Sequence, residues 1–310
     1  MTAVLDLPQP PAAAPTEALL RVYGLVAGFG SHAVLHGIDI AVADGEIAGI
    51  FGLNGAGKSV TLKVIAGLVP AWDGRIMLST HDITRLSAER RVALGLGNVP
   101  QGKQVFTELT VEQNLRLGAY QLRRRDPARY RPLLEQVYAR FPVLYSRRDQ
   151  AAGTMSGGEQ ASLSVARALM SEPRLLLIDE PSAGLAPKIV EELFATLAQL
   201  NRDGLTIVLV EQNVTFGLQL VHTAHLLRQG RVVYRGDVAH LDRDRVAQEL
   251  GIGRLLRARG TTATTIHPRA DARHSGGLPP RQHSPGVANA SVPPANEEDG
   301  PHGHRARDDH

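Results

Sequence analysis

The sequence predicts an α/β domain with an antiparallel β layer and an inserted helical subdomain. A short apolar run, Ile47–Phe51, leads into a glycine-rich turn and then a helical period at Val60, Val64, Ile65 and Leu68. Two further apolar runs, at 175–178 and 206–210, flank a helix that begins near Pro187, the strand–helix–strand alternation of a parallel sheet. Between about residues 105 and 170 the helical period dominates, which marks the insertion.

Taken in order, residues 19–42 read as strands, with Val34, His36, Ile38, Ile40 and Val42 alternating against Asp39 and Ala41 before an Asp44-Gly45 turn. In the insertion, Thr110 and Gln113 have capping-box spacing, and Leu133, Leu134, Val137, Tyr138 and Phe141 form an amphipathic stripe. The helix from Pro187 is expected to bury Ile189, Leu193, Phe194 and Leu197. A hairpin at 226–234, turning at Gln229-Gly230, closes the ordered part. Residues 1–18, rich in Ala and Pro, are expected to be disordered; residues 19–251 form the folded domain. Residues 252–310 contain no Phe, Tyr or Trp and are expected to form a disordered tail.

Composition excludes several classes. The net charge of +3 divides into a tail with eight Arg against six acids and a domain at only +1, so nothing demands nucleic acid. The cluster Arg123, Arg124, Arg125, Arg129 and Arg131 reads as a solvated helical face. Without cysteine there is no disulfide framework, which is compatible with the cytosol. The first residues lack the basic-then-apolar order of a signal peptide, and no apolar run approaches the roughly 20 residues needed to span a bilayer. Work at a membrane would therefore go through partners. Six irregularly spaced histidines in the tail read as polar filler rather than a metal site.

Chemistry concentrates in three places. Gly52-Leu53-Asn54-Gly55-Ala56-Gly57-Lys58-Ser59 is a complete G-x-x-x-x-G-K-S placed between a predicted strand and helix. Its glycines let backbone N–H groups close around phosphate oxygens, Lys58 reaches the terminal phosphates, and the Ser59 hydroxyl can ligate Mg²⁺. The run ending in Asp179-Glu180 delivers two carboxylates at the carboxyl end of a strand, where α/β sheets place ligands. Alone such a pair could simply cap a helix; beside a phosphate loop, Asp179 suits the metal and Glu180 suits polarising a water for attack on the γ-phosphate. Third, Met155-Ser156-Gly157-Gly158-Glu159 reads as a turn and helix start, or as a helix N-terminus able to hold a phosphate supplied by another loop.

The order of these elements, over about residues 19–236, resembles that of ABC ATP-binding cassettes, a P-loop NTPase fold with an antiparallel β subdomain and a helical subdomain. Ser156-Gly157-Gly158-Glu159 is similar to the family's signature motif, which implies that it reaches the ATP of a second cassette across a head-to-tail dimer. Gln101, in Val99-Pro100-Gln101-Gly102, resembles the glutamine that touches Mg²⁺ and couples the site to the membrane partner. Phe29 lies where the family places an aromatic under adenine; the residues alone would make it core. The resemblance thus implies a nucleotide cradle of Phe29, Asn54, Gly55, Ala56, Gly57, Lys58, Ser59, Val60 and Gln101, with Ser59, Gln101 and Asp179 on Mg²⁺ and Glu180 and Gln212 as catalytic residues.

Finer features, among them the stretches 100–106, 180–187 and 210–213, resemble the ATPase subunits of branched-chain amino acid importers, with importers of urea and short amides close by. That resemblance implies ATP and Mg²⁺ as cofactors, transmembrane permease subunits, a second cassette that is either a copy or a paralogue, an indirectly coupled substrate-binding protein, and a place at the cytoplasmic face of the membrane. Gln212 stands where most cassettes have a histidine on the γ-phosphate, Ala186 replaces an aspartate, Val60 replaces a hydroxyl, and Ala161 replaces a glutamine. A soluble cassette acting on DNA or the ribosome would usually carry two cassettes or a long coiled coil, and neither is present. A non-hydrolysing cassette is the reading that Val60, Gln212 and Ala186 would favour; Lys58, Asp179 and Glu180 oppose it.

Overall fold

A computed structural model describes residues 18–102, 104–241 and 246; the expected disordered segment at 1–18, apart from its last residue, and the tail at 252–310 lie outside the described residues. The strands are β1 (Ala18–Phe29), β2 (His32–Ala43), β3 (Ile47–Phe51), β4 (Asp73–Leu78), β5 (His81–Asp82), β6 (Leu96–Val99), β7 (Leu175–Asp179), β8 (Thr206–Glu211), β9 (Thr223–Arg228) and β10 (Arg231–Asp237). The helices are α1 (Lys58–Ile65), α2 (Ala88–Ala93), α3 (Val111–Gly118), α4 (Tyr120–Arg125), α5 (Tyr130–Arg140), α6 (Pro142–Ser146), α7 (Gly157–Leu169), α8 (Pro187–Arg202) and α9 (Val214–Gly217). The antiparallel layer has the order β2-β1-β4-β5, and the larger sheet the order β10-β9-β3-β8-β7-β6.

In the larger sheet β9, β3, β8, β7 and β6 run parallel, so their carboxyl ends share one edge. Alternation along each strand feeds two cores. Ala48, Ile50, Leu175, Leu177, Val208 and Val210 pack toward α1 and the antiparallel layer. Ile47, Leu176, Ile178, Ile207 and Leu209 pack toward α7, α8 and the helical insertion. Strands buried on both faces read as unbroken apolar runs, which is why β3, β7 and β8 were legible.

Two expected stripes shift. Leu68 is 57% exposed, because α1 ends at Ile65 and Gly67 turns the chain out of helical phase at φ 79°. In α8, Val190 rather than Ile189 enters the core with Leu193, Phe194 and Leu197. Ile189 instead covers Gly158 of α7, where a Cβ would lie 2.5 Å from the isoleucine Cγ2. Any side chain at Gly158 would push the two helices apart.

Arg91 is buried and went unread in the sequence. Its guanidinium donates to Val64 and Ile65 carbonyls at 2.6 and 2.7 Å, and to Thr84 and Leu86 carbonyls at 2.9 and 3.0 Å. It satisfies carbonyls at the carboxyl end of α1 and places a cation where the helix dipole favours one.

Candidate functional site

The parallel register explains why distant motifs meet. β3 ends at Phe51 and releases the phosphate loop, β6 ends at Val99 before Gln101, β7 ends at Asp179, and β8 ends at Glu211 before Gln212. All four ends lie on the edge where such sheets bind ligands.

The loop closes against both β layers. Gly57 adopts φ 103°, a conformation that side chains resist, and a Cβ there would lie 2.8 Å from Leu35 of β2. On the other side Gly230 N–H donates to Ala56 O at 3.0 Å, and Gly230 O accepts from His36 N–H at 2.8 Å. Asn54 and Gly55 stay exposed while Ala56, Gly57 and Lys58 are buried. Lys58 Nζ donates to Gly52 O at 3.0 Å and Leu53 O at 3.3 Å and lies 3.5 Å from Glu180 Oε1. Val60 packs partly buried against the core, and the next hydroxyl, Thr61, returns to Gly57 O at 3.0 Å.

Ser59 Oγ donates to Asp179 Oδ1 at 3.0 Å. Burial pushes the Asp179 carboxyl above the usual range, the Ser59 hydrogen bond pulls it back, and the neighbouring Glu180 pushes it up again. Two hard oxygen donors at this distance, one of them a desolvated carboxylate, suit Mg²⁺, which takes few protein ligands and completes its shell with phosphate and water. No cluster of three or more His, Cys, Asp or Glu able to hold a metal occurs among the described residues.

Glu180 is held on both oxygens, by Lys58 on Oε1 and by Gln101 Nε2 on Oε2 at 2.6 Å. Its backbone sits in the left-handed region at φ 45°, a conformation costing on the order of 1–3 kcal/mol that persists only where the surroundings fix it. One such restraint is Glu180 N–H on Val210 O at 2.9 Å.

The remaining expected residues stand apart from this cluster in their contacts. Phe29 is 54% exposed at the tip of the β1–β2 hairpin, a free ring face rather than the core residue its apolarity suggests. Gln212 is exposed. Ser156 caps α7 in a capping box with Glu159, its hydroxyl accepting from Glu159 N–H at 3.4 Å while its own N–H donates to Glu159 Oε2 at 2.9 Å. Arg147 holds Glu159 Oε1 at 3.0 Å. The S-x-x-E spacing signalled that box in the sequence, although only Thr110–Gln113 was read as one. The amides of Gly157 and Gly158, at the first positions of the helix, have no partner within it.

Comparison with known proteins decides the family. The ABC transporter family profile matches residues 35–183. The chain is 42% identical over 205 residues to the high-affinity branched-chain amino acid transport ATP-binding protein BraG of Pseudomonas aeruginosa, covering 66% of this chain and 87% of BraG. The chain belongs to the ABC transporter ATP-binding family. It is also 38% identical to the probable branched-chain amino acid transport ATP-binding protein LivF of Archaeoglobus fulgidus, covering 72% of this chain and 94% of LivF. The lipopolysaccharide export ATP-binding protein LptB of Escherichia coli K12 is 30% identical, covering 77% of this chain and 99% of LptB. Among solved structures, an ABC transporter ATP-binding cassette in its ADP conformation superimposes with a TM-score of 0.67 at 27% identity, covering 77% of this chain and all of that one. The cassette is thus a nucleotide-binding ATPase of mixed α/β fold.

Proposed function

We propose that this cassette hydrolyses ATP to energise an importer of branched-chain amino acids, acting with transmembrane permease subunits at the cytoplasmic face of the membrane. The observation that carries the enzymatic reading is the convergence of Lys58, Ser59, Gln101, Asp179 and Glu180 at one sheet edge. The substrate class rests on identities of 42% and 38% to BraG and LivF, against 30% to the lipopolysaccharide exporter. No helix among the described residues is long and apolar enough to cross a membrane.

An arriving γ-phosphate gives Lys58 a stronger partner than the Gly52 and Leu53 carbonyls, and draws the ammonium off Glu180. Glu180 is then free to orient a water in line with the terminal phosphate, with Gln101 fixing the carboxylate from its other side. Ser59 and Asp179, with the Gln101 carbonyl, would hold Mg²⁺, whose charge offsets that of the phosphates. Gln212 donates its amide to the γ-phosphate, and Phe29 stacks on the adenine. The free amides of Gly157 and Gly158, with Ser156 and Glu159, meet the ATP of a second cassette, either a copy or a paralogue. A substrate-binding protein acts indirectly, through the permeases.

The test is uptake of radiolabelled leucine, isoleucine and valine by vesicles carrying the chain with permease subunits, a second cassette and a substrate-binding protein. Uptake that depends on ATP and disappears with Lys58→Ala is expected. Uptake unchanged by Lys58→Ala, or absent for all three amino acids in vesicles that hydrolyse ATP, overturns the enzymatic or the substrate reading respectively.

A further inference from the structure

Glu211 carries no step in the scheme above, yet its carboxylate holds both loops on which that scheme depends. It ends β8, is 1% exposed, and lies in register beside Phe51, the residue before the phosphate loop. Oε1 accepts from Ser182 N–H at 3.1 Å, and Oε2 accepts from the Ser182 hydroxyl at 2.8 Å and from Asn213 N–H at 3.4 Å. Ser182 lies two residues beyond Glu180, and Asn213 is next to Gln212. Asn213 passes the restraint on, since its side chain caps α9 by accepting from Phe216 N–H at 3.2 Å.

Taking a carboxylate out of water is costly, and desolvation with the nearby charge of Glu180 pushes the Glu211 carboxyl up. Loop closure alone would be served by an amide or a hydroxyl. Only a carboxylate offers acceptors in every direction and no donor, which is what one hydroxyl and two N–H groups converging from two loops require. Glu180 itself sits at φ 45° and needs restraint on both sides. Val210 O holds its N–H, and Glu211 holds the chain two residues later.

We infer that Glu211 is a positioning residue for hydrolysis, tying the loop after Glu180 to the loop that carries Gln212 so that both groups keep one geometry about the γ-phosphate. The inference rests on the roles assigned above to Glu180 and Gln212. Such a residue orients the transition state without touching bound ATP, so its loss lowers kcat and spares KM.

The experiment measures steady-state ATP hydrolysis by the full chain assembled with its permeases, for Glu211→Ala, Glu211→Gln, Ser182→Ala and Glu211→Ala/Ser182→Ala, with Glu180→Gln as reference and thermal melts as a folding check. Glu211→Ala should lower kcat by about tenfold or more with KM for ATP within about twofold, and Ser182→Ala should lower kcat by about threefold. The double variant should be no slower than Glu211→Ala, because both changes break one linkage. Glu211→Gln keeps one acceptor and should fall between wild type and Glu211→Ala. Wild-type kcat in Glu211→Ala, multiplying effects in the double variant, or a rise in KM matching the loss of kcat overturns the inference. Should Glu211→Ala fail to fold, Glu211→Gln and Ser182→Ala decide: reduced kcat in both supports it and wild-type kcat in either overturns it. An inactive Glu180→Gln beside a fully active Glu211→Ala sinks this inference alone, whereas an active Glu180→Gln sinks the catalytic reading beneath it.

Discussion

Gln101 donates its side-chain amide to Glu180 Oε2 across 2.6 Å, while Lys58 faces the other oxygen at 3.5 Å. The glutamine therefore orients the Glu180 carboxylate, and on the proposed reading that carboxylate in turn orients the water. Gln101→Ala removes that contact and should lower kcat by about tenfold. Gln101→Glu sets two carboxylates against each other and should be slower than Gln101→Ala. Phosphate release at saturating ATP measures both. A Gln101→Glu variant at wild-type rate would show that the contact plays no part in turnover.

Ala186 is the N-cap of α8 and offers its helix no side-chain acceptor; Pro187 at the first helical position compensates only in part. Ala186→Asp supplies both an acceptor and a charge matched to the dipole. It should stabilise the domain by about 1 kcal/mol, or roughly 2–4 °C in melting temperature for a domain of this size. Differential scanning calorimetry checks it, and an unchanged or lower Tm would show that the cap is satisfied otherwise.

His225 is wholly buried in β9, neither ring nitrogen has a well-formed hydrogen bond, and burial, helped by the charge of Arg235, pushes its pKa down to about 4. The unfolded chain takes up this proton near pH 6.5 and the folded one only near pH 4, so stability is lost as pH falls between those values. The full difference is on the order of 3 kcal/mol. His225→Leu removes the term, so its Tm advantage over the wild type should widen on acidification through that window. Parallel Tm curves for the two proteins would place the proton elsewhere.

What the sequence made legible was contiguous chemistry. Residues 52–59 and the Asp179-Glu180 pair are local in the chain, and fully buried strands such as β3 and β7 advertise themselves by apolar runs. Contacts across the chain were not legible. Gln101 meets Glu180 over 79 residues, Ser182 meets Glu211 over 29, and Arg91 meets Ile65 over 26. Nothing in the periodicity of hydrophobic residues encodes a polar pairing of that range, because the sheet register creates it. Short β4 and β5 were also missed; β5 has only two residues, too few for an alternation to show. Arg91 was hidden for a different reason: an Arg90-Arg91 pair on a short helix looks like solvated charge until the carbonyls around it are seen.

Glu180→Gln tests the centre of the site. The substitution keeps shape and the Gln101 neighbour but removes the charge that holds Lys58 3.5 Å away, so two effects should appear together. Hydrolysis should fall by about a hundredfold or more, because the water loses its polarising carboxylate. ATP should bind more tightly, because Lys58 no longer has to leave an anion to reach the phosphates. Tight, uncleaved ATP binding stabilises whichever assembly contains it, so the variant should accumulate as an ATP-bound dimer with itself or with a paralogous cassette. Size-exclusion chromatography in ATP without added Mg²⁺ reads the dimer, and a phosphate-release assay with all partners present reads the chemistry. Near-wild-type hydrolysis would remove Glu180 from catalysis. Ser156→Arg in the same background should abolish the dimer, since an arginine at the cap of α7 displaces the Ser156–Glu159 box and blocks the amides of Gly157 and Gly158. A trapped dimer that survives Ser156→Arg would show that this helix start is a cap and nothing more.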